Sequence, residues 1–187
     1  MKVVTIESDG EDVVSLCSLM AGGRLFGIDT LMIREVLGKG RLHRVPLAPA
    51  YVAGVIAYRG EVVTAVSLRA LLGVEPAQGE SCVLVLDGDE SEERFGLTVD
   101  SVGGVVIADR RTMAANPSTL DEASRALFSG AFRTAEGLLV QLDPERLRPA
   151  RLAESGLFRE RMREVLWKRG LATERPMKVD GELLCML

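Results

Sequence analysis

The sequence predicts a mainly β fold of two small five-stranded barrels, and three observations carry that expectation. Short apolar runs recur at a spacing of roughly 8–12 residues with glycine turns between them, which suits barrels better than a helical bundle. The core must be aliphatic, because 47% of the 187 residues are hydrophobic but only 4% are aromatic, and 19 are glycine. One stretch of chain also recurs. In the first copy Gly54, Gly60 and Ser67 punctuate the sequence; in the second, Gly130, Gly137 and Asp143 do the same, with Tyr51 and Leu127 each three residues ahead of the first glycine. Two similarly built halves follow from this repeat. Closing each sheet on itself removes edges that would otherwise pair with other chains.

The elements are read in chain order. Residues 1–12 form an acidic N-terminal arm, 13–150 the main body and 151–187 a C-terminal extension. Val13–Met20 and Arg24–Ile28 flank Ala21-Gly22-Gly23 as a hairpin. Asp29–Leu37 reads two ways, as a helical stripe through Leu31, Met32 and Val36 or as a strand from Ile33 to Leu37. Val45-Pro46-Leu47-Ala48-Pro49 is an extended connector, because each proline pushes its predecessor out of the helical region. The first repeat copy then holds two strand-like runs joined at Arg59-Gly60. A short helix follows, capped by Ser67 and stopped at Gly73. Ser81–Leu86 is a strand, and 87–93 an acidic turn. Arg94–Asp100 and Val105–Ile107 are strands separated by Gly103-Gly104, and 114–124 is a loop. The second copy ends in Asp143-Pro144-Glu145, a helix start with the same capping chemistry. In the extension, Ser155 caps an amphipathic helix of about residues 156–169 whose apolar face carries Leu157, Phe158, Met162, Val165 and Leu166. That helix is expected to pack on the body, with partner binding as the alternative. The apolar residues 182–187 either dock as a terminal strand or stay loose.

Composition excludes several functions. The net charge of −4 disfavours nucleic-acid binding, which calls for a basic face. No apolar run approaches the ~18 residues of a membrane span. Cys17, Cys82 and Cys185 are odd in number and far apart, as expected of reduced thiols and not of a disulfide framework or zinc site. His43 is the single histidine, and it sits between Arg41 and Arg44 beside the proline connector, so it reads as a surface residue and not a catalytic base. The acidic residues of 87–93 lack the order of a calcium loop. Neither Gly22-Gly23 nor Gly103-Gly104 belongs to a phosphate-binding loop. No catalytic residue, metal or cofactor is expected.

Residues along 13–147 resemble the CheW-like domain family, the adaptor modules of bacterial chemosensory arrays. The resemblance rests on Leu25-Phe26-Gly27-Ile28-Asp29, then Ile33-Arg34-Glu35-Val36-Leu37, then Arg44-Val45-Pro46-Leu47-Ala48-Pro49. It continues with Gly54-Val55-Ile56-Ala57-Tyr58-Arg59-Gly60, Ser67-Leu68-Arg69 and Phe95-Gly96-Leu97-Thr98-Val99-Asp100-Ser101-Val102. Order and spacing over the whole stretch carry the match. The chain departs from the family pattern at Ala57, where asparagine is usual, and at Ser67, where aspartate is usual. The resemblance implies SH3-like barrels and a non-enzymatic, cytoplasmic adaptor coupling the helical tip of a chemoreceptor to the regulatory domain of a histidine kinase. It implies neither nucleic-acid binding nor membrane insertion. It also implies that Glu35 and Arg59 lie at the partner-binding groove, with Gly54 and Tyr58 in the same signature. Ile33, Val36, Val55 and Val106 would then form the apolar floor on which a helix lies. The alternatives are a divergent scaffold of another motility or chemosensory-like pathway and a small ligand-binding barrel.

Overall fold

The computed structural model describes residues 3–5, 12–38, 42–75, 79, 81–87, 93–116, 125–154, 177–179 and 182–184. The strands are β1 (Val3–Thr5), β2 (Val13–Ala21), β3 (Arg24–Asp29), β4 (Ile33–Leu37), β5 (Val52–Tyr58), β6 (Glu61–Ser67), β7 (Cys82–Leu86), β8 (Phe95–Val99), β9 (Ser101–Asp109), β10 (Phe128–Thr134), β11 (Gly137–Leu142), β12 (Met177–Val179) and β13 (Glu182–Leu184). The short helices whose bounds lie within the described residues are α1 (Leu68–Leu71) and α2 (Pro149–Glu154). The amphipathic helix expected at about 156–169 lies outside the described residues. β12 and β13 pair with each other and with no other described strand.

The first barrel has the strand order β4-β7-β8-β6-β5, and the second β9-β2-β3-β11-β10, with β1 added outside β9. The fold is mainly β, with two SH3-like five-stranded subdomains. The two sequence halves do not each make a barrel, however. The first barrel takes β4, β5 and β6 from one half and the β7–β8 hairpin from the other. The second takes β9, β10 and β11 and the β2–β3 hairpin. Each borrowed hairpin docks through a parallel pairing, β8 on β6 and β3 on β11. The two junctions are equivalent: Gly96 lies opposite Ala65, and Gly27 opposite Gln141.

The repeat is a repeat of hydrogen bonds. The Ser67 amide donates to the Tyr51 carbonyl at 2.7 Å, and the Asp143 amide to the Leu127 carbonyl at 2.9 Å. The Ser67 hydroxyl accepts from the Ala70 amide, and the Asp143 carboxylate from the Glu145 amide. Each barrel is closed by a bridge from the segment that follows one edge strand onto the opposite edge strand. His43 exchanges two backbone hydrogen bonds with Val55, and Ala114 exchanges two with Ala131. The register shifts in both copies just before these bridges, at Val52/Gly54 and at Phe128/Gly130. The glycine is required there. A Cβ on Gly54 would collide with the His43 carbonyl, and Gly54 holds φ 152° besides. A Cβ on Gly130 would meet the Ala114 carbonyl at 2.9 Å and the flexible Met113 side chain.

Three cores follow from the alternation of side chains. Leu37, Ile56, Tyr58, Val63, Ala65, Val83 and Val85 fill the first barrel. Val14, Leu16, Val106, Ala108, Phe132 and Leu139 fill the second. A larger core between the barrels joins Leu19, Phe26 and Ile28 to Leu68, Leu84, Leu97, Phe128 and Leu147. A salt bridge spans the same junction. Arg69 of α1 donates to both Asp100 oxygens, at 2.6 and 2.8 Å, and to the Glu75 carbonyl. The Gly22 amide, in the β2–β3 turn, donates to Asp100 Oδ2 at 2.9 Å. The Arg69 guanidinium, and secondarily the Gly22 amide, hold the Asp100 carboxyl below its ordinary value of 3.8 against the opposing effect of partial burial.

Several expectations need correction. Gly103-Gly104 does not separate two strands: β9 runs on through them, with a register shift against β2 between Cys17 and Leu19, and a Cβ on Gly103 would run into the Ser18 hydroxyl there. Asp29–Leu37 is half of each reading, a 3-10 turn at Thr30–Met32 followed by β4. The N-terminal arm contributes β1, which pairs parallel to Val105–Ile107.

Two outcomes test this account. In Asp100→Asn an amide nitrogen would replace one oxygen among three donor groups, so unfolding free energy should fall by about 1–3 kcal/mol. Because the folded carboxyl titrates below its ordinary value, this contribution is present above pH 3.8 and fades as pH drops through the folded value. Urea midpoints of the two proteins should therefore converge in acid; a gap that persists there would contradict the assignment. Gly54→Ala should cost more than about 2 kcal/mol, and more than Gly130→Ala, because only Gly54 combines positive φ with a backbone collision. Equal urea midpoints for the two alanine variants would contradict it.

Candidate functional site

The Arg59-Gly60 turn is a two-residue hairpin connection between the paired residues Tyr58 and Glu61. Its central residues hold φ 50° and 86°, the positive pair a type I′ turn requires. An arginine with positive φ is uncommon, so the backbone here holds a side chain that turn propensity alone would not select. The guanidinium reaches across the barrel seam to β4, the opposite edge strand. Arg59 Nη2 lies 3.4 Å from Glu35 Oε2. Its Cζ sits 5.3 Å from the centre of the Tyr58 ring, within cation–π range.

Tyr58 is buried in the first barrel's core. Its hydroxyl is buried without a well-formed hydrogen-bond partner among the described residues. Burial first, and then the neighbouring Glu35 carboxylate, push the phenol above its ordinary value, with Arg59 opposing. The structure thus brings Glu35, Arg59 and Tyr58 together. Arg59 and Glu35 keep 69% and 43% of their side-chain surface open, so the pair is available to a partner and contributes only about 0–1 kcal/mol to the fold.

The apolar residues named with them are not one floor. Val36 is exposed on the same strand as Glu35. Ile33 is half-buried against the inter-barrel core. Val55 lies in the middle of β5, held by His43, and Gly54 beside it is a closure residue. Val106 is buried in the second barrel's own core at 5% exposure, which corrects its place in the expected floor: β9 turns this side chain inward. The space between the barrels is itself packed and not an open groove.

A cleft of about 940 Å³ lies on the first barrel's outer face, lined by Arg34, Glu61, Val62, Asp87, Arg94 and Arg148 among others. Arg34 pairs with Asp87, Arg94 with both Glu61 and Asp87, and Arg148 with Glu145. These carboxylates already meet the arginines, so the cleft is not poised for an anion. Its walls come from β4, β6, the approach to β8 and α2, a spread that spacing along the sequence cannot reveal. Among the described residues no three histidine, cysteine, aspartate or glutamate side chains gather as a metal site. No helix among them is long and apolar enough to cross a membrane.

The chain matches the family model of the CheW-like domain over residues 15–150. It is 29% identical over 131 residues to the chemotaxis protein CheW of Rhizobium meliloti, covering 68% of this chain and 84% of that one. It is 23% identical over 141 residues to the chemotaxis protein CheW of Treponema pallidum, covering 73% and 83%. The scaffolding protein TtCheW from Thermoanaerobacter tengcongensis shares the fold with a TM-score of 0.64 at 19% identity, covering 76% of this chain and 92% of that one. With a family match spanning most of the chain and the duplicated barrels on which that match falls, the protein belongs to the CheW-like domain family.

Proposed function

We propose that this protein is a non-enzymatic, cytoplasmic chemotaxis-type adaptor that couples the helical tip of a chemoreceptor to the regulatory domain of a histidine kinase. The observation that carries the reading is the Arg59–Glu35–Tyr58 cluster. It joins an exposed ion pair, a strained arginine and a buried tyrosine at the barrel seam. Such an arginine is surplus to the fold, since its ion pair is solvated, and arginine beside an aromatic ring is what protein interfaces favour. Its relatives named above are chemotaxis and scaffolding proteins. Glu35, Arg59 and Val36 form the partner-facing surface, with the buried Tyr58 ring beneath the Arg59 guanidinium. Ile33, Gly54 and Val55 position β4 and β5 beneath it.

The test deletes the guanidinium without disturbing the turn. Arg59→Gly keeps φ positive at no steric cost, so urea and circular dichroism should report a fold within about 1 kcal/mol of the parent. In a reconstituted mixture of receptor tip, kinase and adaptor, the variant should need on the order of ten- to a hundredfold more protein for half-maximal kinase coupling. Native coupling by a folded Arg59→Gly, Glu35→Lys double variant would contradict the site.

A further inference from the structure

The two barrels are equivalent strand by strand, and this makes one difference between their edges informative. In the second barrel Val105 and Val106 of β9 lie opposite Cys17 and Leu16 of β2. In the first, Val36 and Leu37 of β4 lie opposite Leu84 and Val83 of β7. The hairpins that carry these partners align, with Ser18 opposite Gly27 and Val85 opposite Gly96. Both edges have a register irregularity one step earlier, at Cys17/Leu19 and at Ile33/Glu35. Val36, Leu37 and Gly38 therefore correspond to Val105, Val106 and Ile107.

The outer edge of Val105–Ile107 is filled by this chain's own β1, parallel, with Val3 opposite Val105 and Thr5 opposite Ile107. The outer edge of Val36–Gly38 has no partner strand among the described residues. At the head of each edge the copies also diverge. Glu35 and Arg59 stand where the second copy has Gly104 and Ala135, the turn being framed by Tyr58 and Glu61 in one copy and by Thr134 and Gly137 in the other. The first edge is thus headed by a solvated ion pair 3.4 Å long, which holds little energy.

We infer that the outer edge of β4 at Val36–Gly38 accepts an extended, β-branched apolar segment of a partner protein, laid parallel to the strand as β1 is laid on β9. Main-chain hydrogen bonds supply the affinity in this mode, and alternate side chains the selectivity. Val36, 46% exposed, offers the apolar contact on the open face. An unpaired edge is otherwise a liability that proteins cover or charge, and here the equivalent edge is covered. The inference deepens the adaptor reading by naming the backbone form of a partner segment, and it rests on that reading only for the partner's identity.

The test is residue-resolved amide exchange of the full chain with a synthetic peptide of the sequence of residues 1–8, which contains the strand Val3–Thr5 that pairs with the equivalent edge. Exchange at Val36–Gly38 should slow about tenfold or more at saturation. Gly38→Pro removes one donor and fills space that is open around that Cβ; the β4–β7 ladder ends at Leu37, so it stays intact. This variant should bind the peptide about tenfold more weakly. Gly38→Val keeps the amide, copies the β-branching of Ile107, and should bind as the parent does. Three results would overturn the inference: no slowing at Val36–Gly38, slowing confined to Val105–Ile107, or parental affinity in Gly38→Pro. Protection that grows with protein concentration without peptide would make a second copy the occupant and overturn the partner assignment. Lost kinase coupling with peptide binding intact would count against the adaptor reading alone.

Discussion

Each barrel is completed by a hairpin from the other half of the chain, and most other features follow from that exchange. β8 must reach β6, and β3 must reach β11, through parallel pairings. Parallel strands need long crossovers, so the chain passes between barrels on its way through both halves. The surfaces turned toward each other at these crossings are apolar and form the largest core, with Phe26, Phe95 and Phe128 in it. Arg69 and Asp100 sit where the chain crosses from β8 to β9, and the Gly22 amide ties the β2–β3 turn to the same carboxylate. Arg148 plays a similar part at the far end, almost fully buried, with a bidentate pair to Glu145 and its guanidinium 5.8 Å from the centre of the Phe95 ring. Opening one barrel therefore removes strands from the other.

Within such a duplicated frame, shared features answer to folding and differences point to function. Gly54 and Gly130, the closing bridges, and the Ser67 and Asp143 caps recur because every barrel of this topology needs them. The seam residues do not recur. Arg59 meets Glu35 in the first barrel, whereas the second has Gly104 and an exposed Ala135 at the same places. No folding requirement distinguishes the copies here, since the second barrel closes without such a pair. That difference is why the proposed partner surface is placed on the first barrel.

The local grammar was legible in the sequence. Glycine spacing marked both copies, and Ser67 and Asp143 marked helix starts, because turns and caps depend on residues adjacent in the chain. Glu35 and Arg59 were found through their resemblance to family positions, and the structure brings them together with Tyr58. Long-range features were not legible. Nothing local shows that β7–β8 serves the first barrel. Gly103-Gly104 read as a break because glycine punctuates strands, yet its cause is the close approach of Ser18. Val106 read as surface floor because apolar residues lie on both faces of β9, and only the pairing with Leu16 decides which face is buried. Asp100 is only the last residue of a strand in the sequence, since its partner Arg69 is thirty-one residues away.

The central claim is that the barrel seam around Arg59 and Glu35 is the partner-facing surface. Chemical-shift mapping of the labelled protein, titrated separately with a receptor-tip helical fragment and with the kinase regulatory domain, tests it most directly. The account predicts that one titration at least moves the amides of Glu35, Val36, Arg59 and Gly60 most, while those beside Arg69 and Asp100 stay in place. Shifts confined to the cleft around Arg94 and Arg148, or to the second barrel at Gly104 and Ala135, would contradict it.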